Sequence, residues 1–260
     1  MDLVLGHEGG FFSCCSVRLY YLILFFNKYK QLPKTFDSKG FYTWYKQNTT
    51  EDITFSYFEN YENINEMITY TRDINYHECY QYKKYTTLDL EKLLPIIRKY
   101  FTPTSTIQDI KTEIMQKYSL DFDNICVLFY RGNDKATEIT LPSFDEYITY
   151  ADEILKKQPN IKFLIQSDET NFINAMKVYY PDNHIIFNDE IRHIPRRNTT
   201  VDRTTFNESN YYYSKKYLAI TLIMSKCKYI ICNSGNCSIW IVFFRTNVEN
   251  IIQLCAIESL

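Results

Sequence analysis

The chain has 260 residues, enough to bury one large core or two small ones. Its formal net charge of −2 argues against a general nucleic-acid binder, which carries a basic surplus. The 24 tyrosines and 18 phenylalanines spread along the chain instead of interleaving with basic clusters, so they read as core and surface bulk.

Eight cysteines occur, at 14, 15, 79, 126, 227, 232, 237 and 255. There is no CxxC pair, and Cys126 and Cys232 fall inside apolar runs, where cysteine acts as a small hydrophobe. Reduced structural thiols are therefore expected over zinc or disulfides. Leu19 to Phe26 is too short to span a bilayer, and the run from Leu218 to Cys232 is broken by Lys226 and Lys228. With no targeting segment apparent, the expectation is a cytoplasmic chain without a transmembrane segment.

In chain order, Asp2 to Gly6 reads as a strand, followed by a turn through Gly9 and Gly10 and a helix from about Cys14 to Tyr29. Strand, glycine turn and helix open many nucleotide-binding units, and equally an ordinary βα connection. Residues 33–85 suggest short strands and loops. Leu88 to Tyr100 patterns as a helix, and the breaker Phe101-Thr-Pro-Thr-Ser105 starts another. A boundary near residue 95 would separate an N-terminal lobe (1–95) from a C-terminal lobe (96–260).

Beyond that point helices and strands alternate. Helices are expected at 107–118, 143–158, 171–180, 214–225 and 238–245, and strands at 125–130, 161–166, 184–187 and 229–232. Alternation of this kind gives an α/β fold with a parallel sheet covered on both faces. Tyr211-Tyr212-Tyr213 reads as an exposed loop, as does the basic group Arg192, Arg196 and Arg197, for which a phosphate- or acceptor-facing role stays open. His184 and His193 have no evident partners. Asp121-Phe-Asp123 resembles a metal-binding pair, but it precedes a strand and reads as a turn.

Three strands end in polar clusters: Arg131, Asp134, Lys135 and Glu138; then Ser167, Asp168 and Glu169; then Asn233, Ser234, Gly235 and Asn236. In a parallel sheet these share the edge where α/β proteins bind ligands. Arg131 offers a rigid fork of donors suited to phosphate oxygens. Asp168 and Glu169 would bind sugar hydroxyls or cap the following helix. The segment from Ser234 to Ser238 would present helix N–H groups to phosphate, or be capped by Asn236 or Ser238.

These clusters carry a resemblance. Phe129-Tyr-Arg-Gly-Asn-Asp-Lys135 resembles the His-x-Arg-Arg-x-Asp-Lys motif of the α1,6-, α1,2- and protein O-fucosyltransferases. Similarity to the α1,6 branch extends outward in order. It takes in Phe101-Thr-Pro-Thr-Ser105, Thr137-Glu138, Asp145-Glu-Tyr147, Phe163 to Glu169, Tyr179-Tyr-Pro181 and Met224 to Asn233. It covers about residues 95–245, and touches the first lobe only at its glycine turn and helix.

The resemblance implies a GT-B-like fold of two Rossmann-like lobes, with the acceptor side in the N-terminal lobe (1–95) and the nucleotide-sugar-binding site in the C-terminal lobe (96–260). It also implies a metal-independent, inverting transfer of fucose or another deoxysugar from a nucleotide-diphosphate donor to a glycan hydroxyl, with no cofactor besides that co-substrate. Arg131 would neutralise the diphosphate leaving group and Glu138 would deprotonate the acceptor. Asp134 and Lys135 would brace the loop, and Asp168, Glu169, Ser234, Asn236, Ser238, Gly9 and Gly10 would meet the donor. Acceptor contacts would come from variable loops such as residues 188–210.

The sequence departs from the family at Gly132, where a second arginine belongs, and at Phe129 and Ile220, where a histidine and an aspartate recognise guanine. Those departures leave the donor base open among guanine, uracil and thymine. They also support a rival reading, a non-catalytic nucleotide-sugar- or glycan-binding module. A P-loop kinase finds no GxxxxGK[ST] segment.

Overall fold

A pair of glycines sets the start of the fold. The computed structural model describes residues 2–257. Strand β1 (Asp2–Gly6) turns into helix α1 (Phe11–Tyr29), and β2 (Thr35–Gly40) lies parallel to β1. A Cβ on Gly40 would stand 2.4 Å from the Gly6 Cα and 2.7 Å from the Leu5 carbonyl oxygen. Only glycine allows backbones so close.

Helix α1 begins at Phe11, earlier than its polar neighbourhood suggests, because Phe11 and Phe12 are both buried. Arg18, fully buried on α1, fastens it: Nε–H donates to Ser38 Oγ (3.2 Å) and Nη1–H to the Tyr100 carbonyl (3.0 Å). Its guanidinium also lies 4.8 Å from the Phe36 ring and 4.9 Å from the Phe101 ring. Buried arginine is tolerated when its donors and its flat face are both occupied.

Between β2 and helix α2 (Leu90–Phe101) the chain makes short 3₁₀ turns instead of further strands. Pro95 lies within α2 and cannot supply the N–H that would bond the Glu91 carbonyl. The Tyr70 hydroxyl donates to that carbonyl instead (3.0 Å). The buried hydrophobic residues of α2 share one core with those of α1.

After α3 (Ser105–Lys117) the alternation expected from the sequence is realised as β3 (Ile125–Tyr130), α4 (Phe144–Lys157), β4 (Lys162–Ser167), α5 (Thr170–Tyr179) and β5 (His184–Ile185). It continues through α6 (Asn210–Lys226), β6 (Tyr229–Asn233), α7 (Asn236–Arg245) and β7 (Ile251–Leu254). Strand order is β5-β4-β3-β6-β7, and every pairing is parallel. The protein is thus an α/β fold with two parallel sheets, of which the first has only two strands.

Residue parity separates the layers. Cys126, Leu128 and Tyr130 pack with α4 and α5, whereas Ile125, Val127 and Phe129 pack with the layer of α1, α3, α6 and α7. Among the described residues no helix is long and apolar enough to cross a membrane.

Two expectations are corrected. Tyr211 to Tyr213 lie in the first turn of α6, not in a loop, and Tyr213 is buried against the Arg192 guanidinium at 4.3 Å. Arg192 is itself buried, with Nη1–H donating to Asn210 Oδ1 (2.7 Å), so it is no solvated loop residue. A polar-looking stretch is buried here because aromatic rings cover the cation and hydrogen bonds use its donors. Strand β7 gave little signal: Ile251-Ile252-Gln253-Leu254 is short and only partly buried.

Gly40→Ala should lower unfolding free energy by about 1–3 kcal/mol, the usual cost of forcing extra volume into a packed contact. Urea denaturation with an unchanged m-value checks this; a variant as stable as wild type would mean that β1 and β2 do not meet at these glycines.

Candidate functional site

The strand order fixes where a site can be. From β3 the chain winds one way through β4 to β5, and it returns on the other side of β3 as β6 and β7. The switch point lies between β3 and β6, and a crevice opens at their carboxyl ends.

Asn233, the last residue of β6, ties the two strand ends together there. Its Oδ1 accepts from the Arg131 N–H (2.9 Å), and its Nδ2 donates to the Arg131 carbonyl (2.9 Å). The side chain thereby extends the β3–β6 ladder past the strands. By parity Arg131 shares the face of Phe129, toward α1, α6 and α7.

The Arg131 guanidinium is held on three sides. Nε–H donates to Asp168 Oδ2 (3.0 Å), Nη2–H to Asp134 Oδ1 (2.9 Å) and Nη1–H to the Tyr217 hydroxyl (3.4 Å). Burial opposes its charge, but Asp168 and then Asp134 outweigh burial and hold its pKa well above the ordinary value. Asp168 Oδ1 also accepts the Gly132 N–H (2.9 Å), so one carboxylate fixes both the arginine and its turn.

Around Arg131 lies a cavity of about 290 Å³. The post-β3 turn contributes Asp134, Lys135 and Glu138, and the start of α7 contributes Asn236 and Cys237. Two helix N-termini reach it. Both α1 and α7 start at a glycine, have no side-chain cap and carry no acid in the first turn. At α1 the first N–H, that of Phe11, already donates to the Tyr45 hydroxyl (2.7 Å). With no acid in either first turn, the partial positive charge of both termini is still suited to anions.

Lys135 Nζ donates to Glu138 Oε2 (2.6 Å), Gln81 Oε1 (3.0 Å) and the Tyr82 hydroxyl (3.1 Å). Tyr82 donates to the same Glu138 oxygen. Burial lowers the Lys135 pKa despite the Glu138 charge.

Of the donor and catalytic residues expected from sequence, Arg131, Glu138, Asp134, Lys135, Asn236, Gly9 and Gly10 line this cavity. Asp168, Glu169, Ser234 and Ser238 do not. Asp168 sits behind Arg131 as its anchor. Neither Asp168 nor Glu169 caps α5 with its side chain. Ser238 Oγ donates to the Asn233 carbonyl (2.6 Å) and Ser234 Oγ to the Leu254 carbonyl (3.2 Å), so both hydroxyls serve the strand ends. The Asn236 Oδ1 atom is buried without a hydrogen-bond partner among the described residues, and neither Asn236 nor Ser238 caps α7.

Glu169 explains Gly132. A Cβ at 132 would stand 1.8 Å from Glu169 Oε2 and 2.7 Å from Tyr130 Cε1. Glu169 is fully buried, and Arg196 Nε–H donates to that same oxygen (2.9 Å) while Nη2–H reaches the Tyr130 hydroxyl (2.7 Å). A second arginine at 132 has no room. Phe129 and Ile220, at the guanine-reading positions, are buried core residues.

Several cavity residues were not singled out by the sequence, although Thr200 and Asp202 lie in the 188–210 segment expected to contact an acceptor. Asp202 and Thr200 come from the β5–α6 connection, Trp44 from the segment after β2, and His7 and Glu8 from the glycine turn. His7 Nε2 and Ser13 Oγ share a hydrogen bond (2.9 Å), and Trp44 Nε1–H donates to Glu8 Oε1 (3.2 Å). Asp202 Oδ2 accepts from the Tyr45 hydroxyl (2.9 Å), while Oδ1 is buried and unpartnered among the described residues. Burial raises the Asp202 pKa above its ordinary value, against the lowering pull of Tyr45 and Arg131.

No family model matches the sequence, and no curated protein matches it. Solved structures do match. A NodZ α-1,6-fucosyltransferase soaked with GDP-fucose superposes with a TM-score of 0.54 at 9% identity, over 94% of this chain and 92% of that chain. The fucosyltransferase NodZ from Bradyrhizobium gives 0.51 at 10% identity, over 92% and 91%. A NodZ α-1,6-fucosyltransferase co-crystallized with GDP gives 0.53 at 9% identity, over 92% and 91%. The chain shares the α/β fold of these fucosyltransferases over most of its length.

Gly132→Ala should cost about 1–3 kcal/mol, because the methyl displaces a buried, ion-paired carboxylate. Its urea midpoint measures this; an unchanged midpoint would mean Glu169 moves aside freely. Asp202 supplies a pH test. Its raised folded pKa favours the fold fully below the ordinary 3.8, and that contribution is lost as pH rises through the folded pKa. Asp202→Asn keeps an acceptor for Tyr45 and lacks this loss, so its melting temperature should gain on wild type as pH increases across that window. Parallel melting curves at every pH would contradict it.

Proposed function

We propose that the protein is a glycosyltransferase that binds a nucleotide-diphosphate sugar in the switch-point cavity and transfers its sugar to a glycan hydroxyl. The observation that carries this reading is the convergence on one cavity of the anchored Arg131 and two helix N-termini with glycine N-caps and no acid in the first turn, within a fucosyltransferase fold. A diphosphate is the ligand that such a set of directional donors suits.

The formal charges around the cavity do not by themselves attract an anion strongly. Arg131 and Lys135 are offset by Asp134, Asp168 and Glu138. Affinity for phosphate oxygens would rest on fixed N–H groups, whose positions are set before the ligand arrives. On leaving, the diphosphate gains charge, and Arg131 with the α7 N-terminus would stabilise it without a metal ion. Fucose or a related deoxysugar is the sugar that the motif resemblance favours. Buried Phe129 and Ile220 mean that a base here is read by other groups than the family's histidine and aspartate.

Calorimetry with GDP, UDP and dTDP, with and without a metal chelator, tests the reading. One nucleotide should bind, unaffected by chelation, and Arg131→Lys should weaken it about 10- to 100-fold while the protein stays folded. Lysine is the informative substitution, since alanine would leave Asp168 and Asp134 uncompensated and endanger the fold. A folded wild-type protein that binds none of the three would overturn the proposal.

A further inference from the structure

Three residues that line the cavity each carry a buried oxygen lacking a partner among the described residues: Asn236 Oδ1, Thr200 Oγ1 and Asp202 Oδ1. Buried polar atoms are nearly always bonded, so such a cluster beside a cavity calls for a partner from its contents, solvent or ligand. Asn236 belongs to the α7 end. Thr200 and Asp202 belong to the β5–α6 connection, and they mark a second part of the cavity.

Asp202 is held there from several sides. The Phe11 N–H, at the start of α1, donates to the Tyr45 oxygen (2.7 Å), and the Tyr45 hydroxyl donates onward to Asp202 Oδ2. Asn210 Nδ2 donates to the Asp202 carbonyl (2.8 Å) and to the Trp44 carbonyl (3.2 Å). Arg192 in turn fixes Asn210. One oxygen of the carboxylate is thus oriented, and the other is buried without a partner among the described residues. Beside it stand Trp44, over which the Arg203 guanidinium lies at 4.9 Å, and the Glu8 carboxylate. An aromatic face flanked by carboxylates is the chemistry that holds a sugar ring and its hydroxyls.

Glu138, the base implied by the motif resemblance, is differently placed. One of its oxygens takes both Lys135 and Tyr82, and the side chain is 40% exposed. A carboxylate that neutralises a buried ammonium cannot take up a proton without stranding that charge. Asp202 has no such cation in direct contact.

We infer that the Glu8–Trp44–Asp202 side of the cavity is the acceptor subsite, and that Asp202 Oδ1 takes the proton of the attacking sugar hydroxyl. This rests on the transferase reading. The acceptor O–H bond breaks as its proton passes to Asp202, and the oxygen lone pair forms the new bond to the anomeric carbon. The bond from that carbon to the diphosphate breaks with its electron pair leaving on the phosphate, toward Arg131 and the α7 N-terminus. Asp202 later returns the proton to water.

The experiment uses the full chain, the nucleotide sugar whose nucleotide binds, and water or a mixed oligosaccharide pool as acceptor, with release of nucleoside diphosphate as readout. Asp202→Asn should bind nucleotide as wild type does but lose at least about 100-fold in kcat, with Asp202→Glu recovering part of it. Glu138→Gln should fall by less than about 10-fold. Wild-type kcat should decline on the acid side as Asp202 protonates, a limb that Asp202→Asn lacks. The charged and titratable groups acting on Asp202 are Tyr45, Arg131, Arg192, Asp134 and Tyr213, and all are retained in that variant. Intact nucleotide binding with undiminished turnover in Asp202→Asn would overturn the assignment alone. Bound nucleotide sugar with no turnover by wild type would also overturn it. No nucleotide binding by wild type would instead remove the transferase reading beneath it.

Discussion

The side chain of Asn233 pairs with both backbone groups of Arg131, and Asp168 grips the guanidinium and the next peptide N–H together. This lock joins β3, β4 and β6 at the point where the sheet reverses its winding. The turn that follows is aimed by it, including Asp134, Lys135 and Glu138. Freed from it, a long arginine would lose the fixed position that makes it useful, at a rotamer-entropy cost on each binding event. On the Arg131 side, the shape of the cavity and its electrostatics descend from these few hydrogen bonds.

The opposite half of the cavity depends on a second set of contacts reaching across the chain. Tyr45 joins the α1 N-terminus to Asp202, and Asn210 joins Trp44 to the same loop. The segment after β2 and the β5–α6 connection are remote in sequence, yet they are held as one wall. Ion pairs compensate the charges already present, so under the proposed function a ligand would be recognised by donor geometry more than by net potential. Fixed dipoles of this kind need no reorganisation when charge develops on a leaving group.

The fold of the larger sheet was legible because parity and length settle it. Ile125 to Tyr130 is apolar on both faces, as a central parallel strand must be, and the helices between strands repeat their apolar residues at helical spacing. Strand β7 and the first turn of α6 were not legible. Ile251 to Leu254 is too short to show a period, and Tyr211 to Tyr213 sit among polar residues although aromatic contacts and Arg192 bury the last of them. Site residues divide in the same way. Arg131 stands at the end of an unmistakable strand, whereas Asp202 lies in a connection whose path is set by tertiary bonds to Tyr45 and Asn210. Ser234 and Ser238 looked like phosphate ligands because position along the chain does not reveal where a hydroxyl points. Gly132 looked like a loss of charge, and the buried Glu169 carboxylate shows it to be a requirement of packing.

The most direct measurement is a crystal structure of the protein soaked in turn with GDP, UDP and dTDP. The diphosphate should lie between the Arg131 guanidinium and the first-turn N–H groups of α7, within hydrogen-bond distance of both, with Asn233 and Asp168 unmoved. Nucleotide bound at another surface, with this cavity filled only by solvent, would contradict the account at its centre.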